Sequence, residues 1–221
     1  MPNIIVTIPA HNEVQSIGEV LAGVHKAVPK AIVLVVCNDC TDGTEQVAIR
    51  NKAVTYSTPI HGLANAFRSE MTRALVLKPD IIVHIDADGQ YDPAEIPVLV
   101  RWVQRGYDLV LGNRLHEKPE TKSRVKFALN MLGAFGYSAL LRMWIPDMTT
   151  GFRAFTPEVA KLPSVACYTY TQEQIWRAAK QGFRIKSVPA SFRQREYGES
   201  RLINSVRDYL RRSAYDFVRF V

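Results

Sequence analysis

The chain has 221 residues, 47% of them hydrophobic and 22% charged, an ordinary globular composition that excludes a disordered or fibrous chain. The formal net charge of +7 suits an anionic partner such as a nucleotide, a lipid phosphate or an anionic membrane. No zinc-finger spacing or aromatic RNA-binding signature accompanies it, so no nucleic-acid partner is expected.

No apolar run approaches the ~20 residues needed to span a bilayer. The opening PNIIVTIPA has neither a basic region nor a cleavage site, and the expectation is a protein kept in the cytoplasm. Three cysteines in such a chain argue against a disulfide framework. Cys37 and Cys40 form a CxxC, but the pair follows a strand and precedes a loop. Redox pairs sit at helix starts, so it is read as a coincidence of spacing. Zinc would require two more ligands at similar spacing.

In chain order, NIIVTI reads as a strand and NEVQSIGEVLAGVHKAV as an amphipathic helix with Asn12 as its N-cap. AIVLVV is a second strand, TDGTEQVAIRN a helix and AVTYS a third strand. GLANAFRSEMTRALVL is a helix and IIVHI a short apolar strand. PAEIPVLVRWVQRG is a helix with Pro near its start, and DLVLG a further strand. Such alternation predicts right-handed crossovers and a mostly parallel, doubly wound sheet. SRVKFALNMLGAFGYSALLRMW is a long helical pattern broken at a glycine, followed by the loop IPDMTTG. A helix spans Thr171 to Gln181, RIKSVPASF is strand-like, and the last residues form a basic amphipathic helix. The economical division is a body of residues 1–203 and a terminal helix of residues 204–221.

Ligands of an open parallel sheet bind beyond the carboxyl ends of its strands. Four polar clusters fall there: PAHNE, CNDCTDGT, DADGQ and GNR. Neither GxGxxG nor GxxxxGK[ST] is present, so a bound diphosphate must be neutralised another way. Asp86, Asp88 and Gln90 alternate along extended chain, and their oxygens suit Mg²⁺ or Mn²⁺. Asp92 is read instead as the N-cap of the helix that begins at Pro93.

These motifs resemble glycosyltransferase family 2, and within it the dolichyl-phosphate mannosyltransferase-like group. IPAHNE looks like the opening nucleotide-site motif, and VVCNDCTDGT is similar to VVDDGSTDGT. HGLANAF takes the place of a glycine-rich segment. DADGQ looks like the metal motif DADxQ, GNR stands for GSR, DMTTGFRAF is similar to D-x-x-(S/T)-G-F-R-x-F, and REYGESRL to R-x-x-G-x-S-K. Two departures stand out. CND replaces DDG, which leaves guanine and uracil both open as the base and puts Asp39 where the family has Gly. HGLANA lacks the second glycine.

The resemblance implies a single-domain α/β fold of GT-A type, a mostly parallel twisted sheet with helices on both faces. It also implies a nucleoside diphosphate sugar donor with GDP or UDP, a divalent metal and an inverting displacement onto a polyprenyl phosphate. Matched residue by residue, Asp88 and Gln90 would hold the metal with Asp86 beside them. Pro9, His11 and Glu13 would line the base and ribose pocket, Asn38 would sit on the base, and Asp39 would flank it. Arg114, Arg124 and Arg195 would face phosphates, with Ser200 and Arg201 in the same phosphate loop.

A phosphate acceptor is already ionised near neutral pH and requires positioning rather than a base. A hydroxyl acceptor on a glycan or small molecule would need a base, and Glu173 in YTYTQEQIW is then the candidate. A subunit that binds a nucleotide sugar without turnover is a third reading, which the intact DADGQ and REYGES motifs weigh against. The basic terminal helix, from Asn204 to Val221, is expected to make peripheral contact with the cytoplasmic membrane face.

Overall fold

The structure is a computed structural model and describes residues 2–59, 62–116, 124–197 and 206–221, without the side chains of residues 116, 124–132 and 206–210. Among these residues seven strands form one sheet: β1 (Ile4–Ala10), β2 (Ile32–Asn38), β3 (Val54–Thr58), β4 (Ile81–His84), β5 (Leu109–Asn113), β6 (Arg153–Phe155) and β7 (Ile185–Pro189). Their order is β3-β2-β1-β4-β6-β5-β7. All neighbours run parallel except β6, which is antiparallel to both β4 and β5. The helices are α1 (Ile17–Ala27), α2 (Thr44–Arg50), α3 (Leu63–Val76), α4 (Ile96–Gln104), α5 (Arg124–Leu141), α6 (Pro157–Ala160), α7 (Tyr170–Lys180) and α8 (Val206–Phe220).

Strand alternation sorts the core into two layers, because successive side chains point to opposite faces. Val6, Ile8, Val33 and Val35 pack with Leu21 of α1, Ala48 of α2 and Leu99 of α4. Ile5, Leu34, Val36 and Ile82 face the other way, onto Phe67 and Met71 of α3, Ala134 of α5, Val159 of α6 and Ile175 of α7. The expected doubly wound α/β sheet is therefore present, with helices on both faces.

Three local readings change. β6 was not foreseen: three residues are too few to show a period, and its buried Arg153 does not resemble strand-core chemistry. Asn12 is not the cap of α1, whose N-cap position is Ser16. Asn12 instead takes a left-handed φ of 55° and turns its side chain to the next loop. Helix α5 runs through its glycines without a break. Asp92 caps as expected, its carboxylate accepting from the amide of Ala94 at 2.9 Å.

Helix α8 lies against the body. Phe217 and Phe220 pack with Trp176 of α7 and Ala166. Asp216 is fully buried and accepts from the amides of Cys167, Tyr168 and Thr169 at 2.7–3.0 Å. The apolar side chains expected to face a membrane thus divide: Phe217 and Phe220 turn inward and Val218 stays exposed, while the side chains of Val206, Tyr209 and Leu210 lie outside the described residues. Tyr215, not counted among them, is exposed as well. No helix among the described residues is long and apolar enough to cross a membrane.

Candidate active site

The parallel strands deliver their polar loops to one edge of the sheet. The loops after β1 and β2 are joined by short polar side chains. Asn12 Oδ1 accepts from the amides of Thr41 at 2.8 Å and Asp42 at 3.3 Å. The amide of Glu13 donates to the Thr44 hydroxyl at 2.8 Å, and that hydroxyl donates to Asp42. Burial would raise the Asp42 carboxyl, but hydrogen bonds from Thr44 and Val14 outweigh it and hold the group below its ordinary value. The TDGT segment is thus a clamp that sets Glu13, a function not assigned to Asp42 or Thr44 from the sequence.

On this frame, His11 Nδ1 lies 2.7 Å from the carbonyl oxygen of Asn38. Asn38 is buried; its side-chain nitrogen donates to the Gly62 carbonyl at 3.1 Å, while its Oδ1 has no hydrogen-bond partner among the described residues. A buried acceptor without a donor costs free energy, and it leaves a place for a ligand N–H. Pro9 sits half-buried at the end of β1. Asp39 holds a left-handed φ of 54°, a conformation that favours glycine and that Asp tolerates at a cost.

Asp86 and Asp88 follow β4. Burial first, then the negative charge of Asp86, pushes the Asp88 carboxyl up to about 6, against the opposing pull of the Gln90 amide and Arg195. Among the described residues no three His, Cys, Asp or Glu side chains gather as a metal cage. Two hard carboxylates crowded together still fit a cation that keeps most of its positions for water and phosphate oxygens, as Mg²⁺ and Mn²⁺ do. Gly151 completes the cradle: a Cβ there would stand 2.8 Å from both Cγ and Oδ1 of Asp86. Gln90 donates from its side chain to the Arg193 carbonyl at 3.0 Å, which ties the acidic loop to the segment after β7.

That segment returns Arg195 over the site. Its guanidinium pairs with Glu13, donates to the Tyr197 carbonyl at 2.7 Å and approaches Asp88 to 3.8 Å. Three residues distant in sequence, Glu13, Asp88 and Arg195, are thereby brought together.

Arg114 is engaged differently from expectation. It grips Asp147 with Nε at 2.7 Å and Nη2 at 2.9 Å, and donates to Thr149 at 2.6 Å. Burial would raise the Asp147 carboxyl, but these bonds lower it. The DMTTG segment is held to the end of β5 in this way. Tyr91 joins it to the acidic loop: its hydroxyl is 3.2 Å from Thr150 Oγ1 and accepts from the Gly151 amide at 3.1 Å. Behind Asp86 lie fully buried Glu70 and His84, 3.1 Å apart, with His84 Nε2 3.9 Å from Asp86. Burial raises the Glu70 carboxyl. Sequence reading placed Asp147 within DMTTGFRAF without giving it a role and missed Glu70, since a carboxylate in a loop or on a helix carries no sign of what it will meet.

Glu173 is corrected. It is fully buried and accepts from the amides of Val165 and Ala166 at 2.8–3.0 Å and from Arg177 Nε at 2.8 Å. Its carboxylate anchors a loop and is not presented to a substrate. Arg124 begins α5, but its side chain lies outside the described residues, as do Ser200 and Arg201 altogether.

Residues 5–162 match the family model described as "Glycosyl transferase family 2". The chain is a family 2 glycosyltransferase. The transferase is 29% identical to undecaprenyl-phosphate mannosyltransferase of Micrococcus luteus, over 92% of this chain and 88% of that protein. It is also 29% identical to polyprenol monophosphomannose synthase of Mycolicibacterium smegmatis, over 91% and 81%. An uncharacterized protein of Methanocaldococcus jannaschii is 33% identical over 92% and 86%. Among solved structures, glucosyl-3-phosphoglycerate synthase from Mycobacterium tuberculosis, in complex with Mn²⁺, UDP and glucosyl-3-phosphoglycerate, superposes with a TM-score of 0.67 at 21% identity, covering 88% of this chain and 73% of that one. At that identity the likeness establishes the GT-A fold.

Proposed function

We propose that the transferase moves a hexose, mannose or a similar sugar, from a nucleoside diphosphate sugar to a polyprenyl phosphate, with inversion and with Mg²⁺ or Mn²⁺. The observation that carries this reading is the convergence of Asp86, Asp88, Glu13 and Arg195 at the sheet edge. Paired carboxylates with an arginine above them suit a diphosphate that arrives with a cation. The relatives named for polyprenyl-phosphate mannosyl transfer support the acceptor class.

Asp86 and Asp88 would hold the cation, with Gln90 beside them; when bound, it neutralises charge on the departing diphosphate. Arg195 then exchanges its contact with Asp88 for phosphate oxygens while Glu13 keeps it oriented. His11, Asn38 and Pro9 receive the nucleoside, and the unpartnered Asn38 Oδ1 accepts from the base. Asp39 shapes this turn. Arg114, fixed by Asp147, adds positive charge beside the acidic loop, and Arg124, Ser200 and Arg201 are proposed phosphate contacts. A phosphate acceptor brings its own nucleophilic oxyanion. The engagement of Glu173 in backbone hydrogen bonds agrees with an acceptor that needs no base.

The lipid acceptor would be reached by peripheral membrane contact. Tyr215, Val218 and Arg211, Arg212 and Arg219 are exposed on α8, and Phe135, Leu140 and Trp144 on and after α5. Apolar and basic side chains together suit an anionic lipid surface. Thermal-shift titration with GDP and UDP tests the donor side: a Tm rise that requires Mn²⁺ and disappears in Asp88→Asn is expected. Equal shifts with and without the metal would remove the assignment.

A further inference from the structure

Against the sequence reading of their CxxC as a coincidence of spacing, we propose that Cys37 and Cys40 form a reversible dithiol–disulfide site on the wall of the nucleoside pocket. Sheet register sets Cys37 opposite Ala10. The Cys40 thiol donates to the carbonyl of that same Ala10 at 3.3 Å. Both cysteines therefore lie beside one residue of β1, and both pack in the same apolar layer. The intervening residues turn the chain back on itself, with Asp39 in its left-handed conformation.

The two thiols differ in the way a nucleophile and a resolving thiol must. Cys37 is buried, while Cys40 is partly exposed. A hydrogen bond from Cys37 lowers the Cys40 thiol to about 7, with burial opposing and the Asn12 amide assisting. The same contact, together with burial, raises Cys37. Near neutral pH a large share of Cys40 is thiolate, the form that attacks disulfides.

With a small-molecule disulfide such as oxidised glutathione, the Cys40 thiolate attacks one sulfur and expels one glutathione thiolate. Cys37 then loses its proton and attacks the Cys40 sulfur of the mixed disulfide, expelling the second glutathione. Two protein thiols are oxidised to one disulfide, and one small disulfide is reduced to two thiols.

The consequence for binding rests on the donor reading above; the disulfide itself does not. Asn38 lies between the cysteines. Its carbonyl meets His11, and its side chain holds Gly62 at the start of α3. An S–S bond is ~2.05 Å long, far shorter than contact between unbonded sulfurs, so closure draws the Cys40 sulfur away from the Ala10 carbonyl and onto Cys37. The disulfide then constrains the turn that carries Asn38 and Asp39, and with it the contacts proposed for the base.

The test uses the full chain carrying Cys167→Ser, which removes the third, exposed cysteine. Equilibration in glutathione buffers, read by intact mass, should give loss of two hydrogens, reversed by dithiothreitol. Adding Cys37→Ser should trap a glutathione adduct on Cys40. Adding Cys40→Ser should abolish both adduct and disulfide. Calorimetry with UDP or GDP and Mn²⁺ should show affinity about tenfold weaker in the oxidised protein. Absence of a disulfide at every glutathione ratio overturns the site. A disulfide with unchanged affinity overturns its link to the pocket. A reduced protein that binds neither nucleotide rejects the donor reading instead, and the mass result still decides the disulfide.

Discussion

Substitution of Gly151 by Ala tests the metal assignment without touching a proposed ligand. The added Cβ would stand 2.8 Å from Cγ and Oδ1 of Asp86, and closer still to Oδ2. Ordinary contact between such atoms requires roughly 3.5 Å, so the carboxylate must move by the better part of ~1 Å. Metal–ligand distances tolerate about ±0.2 Å, so a displacement several times larger removes Asp86 as a ligand. Loss of that positioning is expected to weaken Mn²⁺ affinity by about 10–100-fold. The fold should survive, because the Asp86 side chain is 34% exposed and can rotate toward solvent. Calorimetric titration with Mn²⁺, beside a thermal melt, separates the two effects. Wild-type Mn²⁺ affinity in a folded Gly151→Ala protein would refute the placement of the cation at Asp86.

Glu173→Gln should lower stability by about 1–3 kcal/mol, through lost charge-assisted hydrogen bonds, while kcat stays within a few-fold of wild type; a stable variant without turnover would restore its role as a base. Amide hydrogen bonds to Asp216 outweigh its burial and hold its carboxyl below the ordinary 3.8. A depressed folded-state pKa gives stability that is complete above 3.8 and lost as pH falls through the folded value. Trp176 fluorescence, reporting the packing of α8, should therefore hold steady to about pH 4 and change below it, and an Asp216→Asn protein should lack this acid transition. Tyr215→Ser with Val218→Ser should reduce partitioning to anionic vesicles by roughly tenfold and leave nucleotide binding intact; unchanged partitioning would exclude this face of α8 as the contact.

The repeating strands and amphipathic helices were legible because burial on both faces of a parallel sheet imposes apolar strand runs and a 3.6-residue helix period. Ile5 and Val6 face opposite layers as that geometry demands. The site was legible where several residues cluster within one loop, as in DADGQ. It was not legible where one side chain acts on a distant backbone. Asp42 and Asn12 join two loops across about 30 residues, and Asp147 captures Arg114 across 33. Glu173 shows the reverse error. A glutamate at the start of a helix looks available until the fold brings the amides of Val165 and Ala166 to it. Helix α8 was read correctly as amphipathic, yet amphipathicity does not say which surface covers the apolar face, and Trp176 packs on its Phe217 and Phe220.

The most direct test of the proposed reaction is a transfer assay with the purified chain, radiolabelled GDP- or UDP-hexoses and a short polyprenyl phosphate in detergent. Label should pass to the lipid phosphate only with Mg²⁺ or Mn²⁺, stop on chelation, and fall to background in Asp88→Asn. Transfer that persists in chelator, or that goes to hydroxyl acceptors and never to the lipid phosphate, would contradict the account.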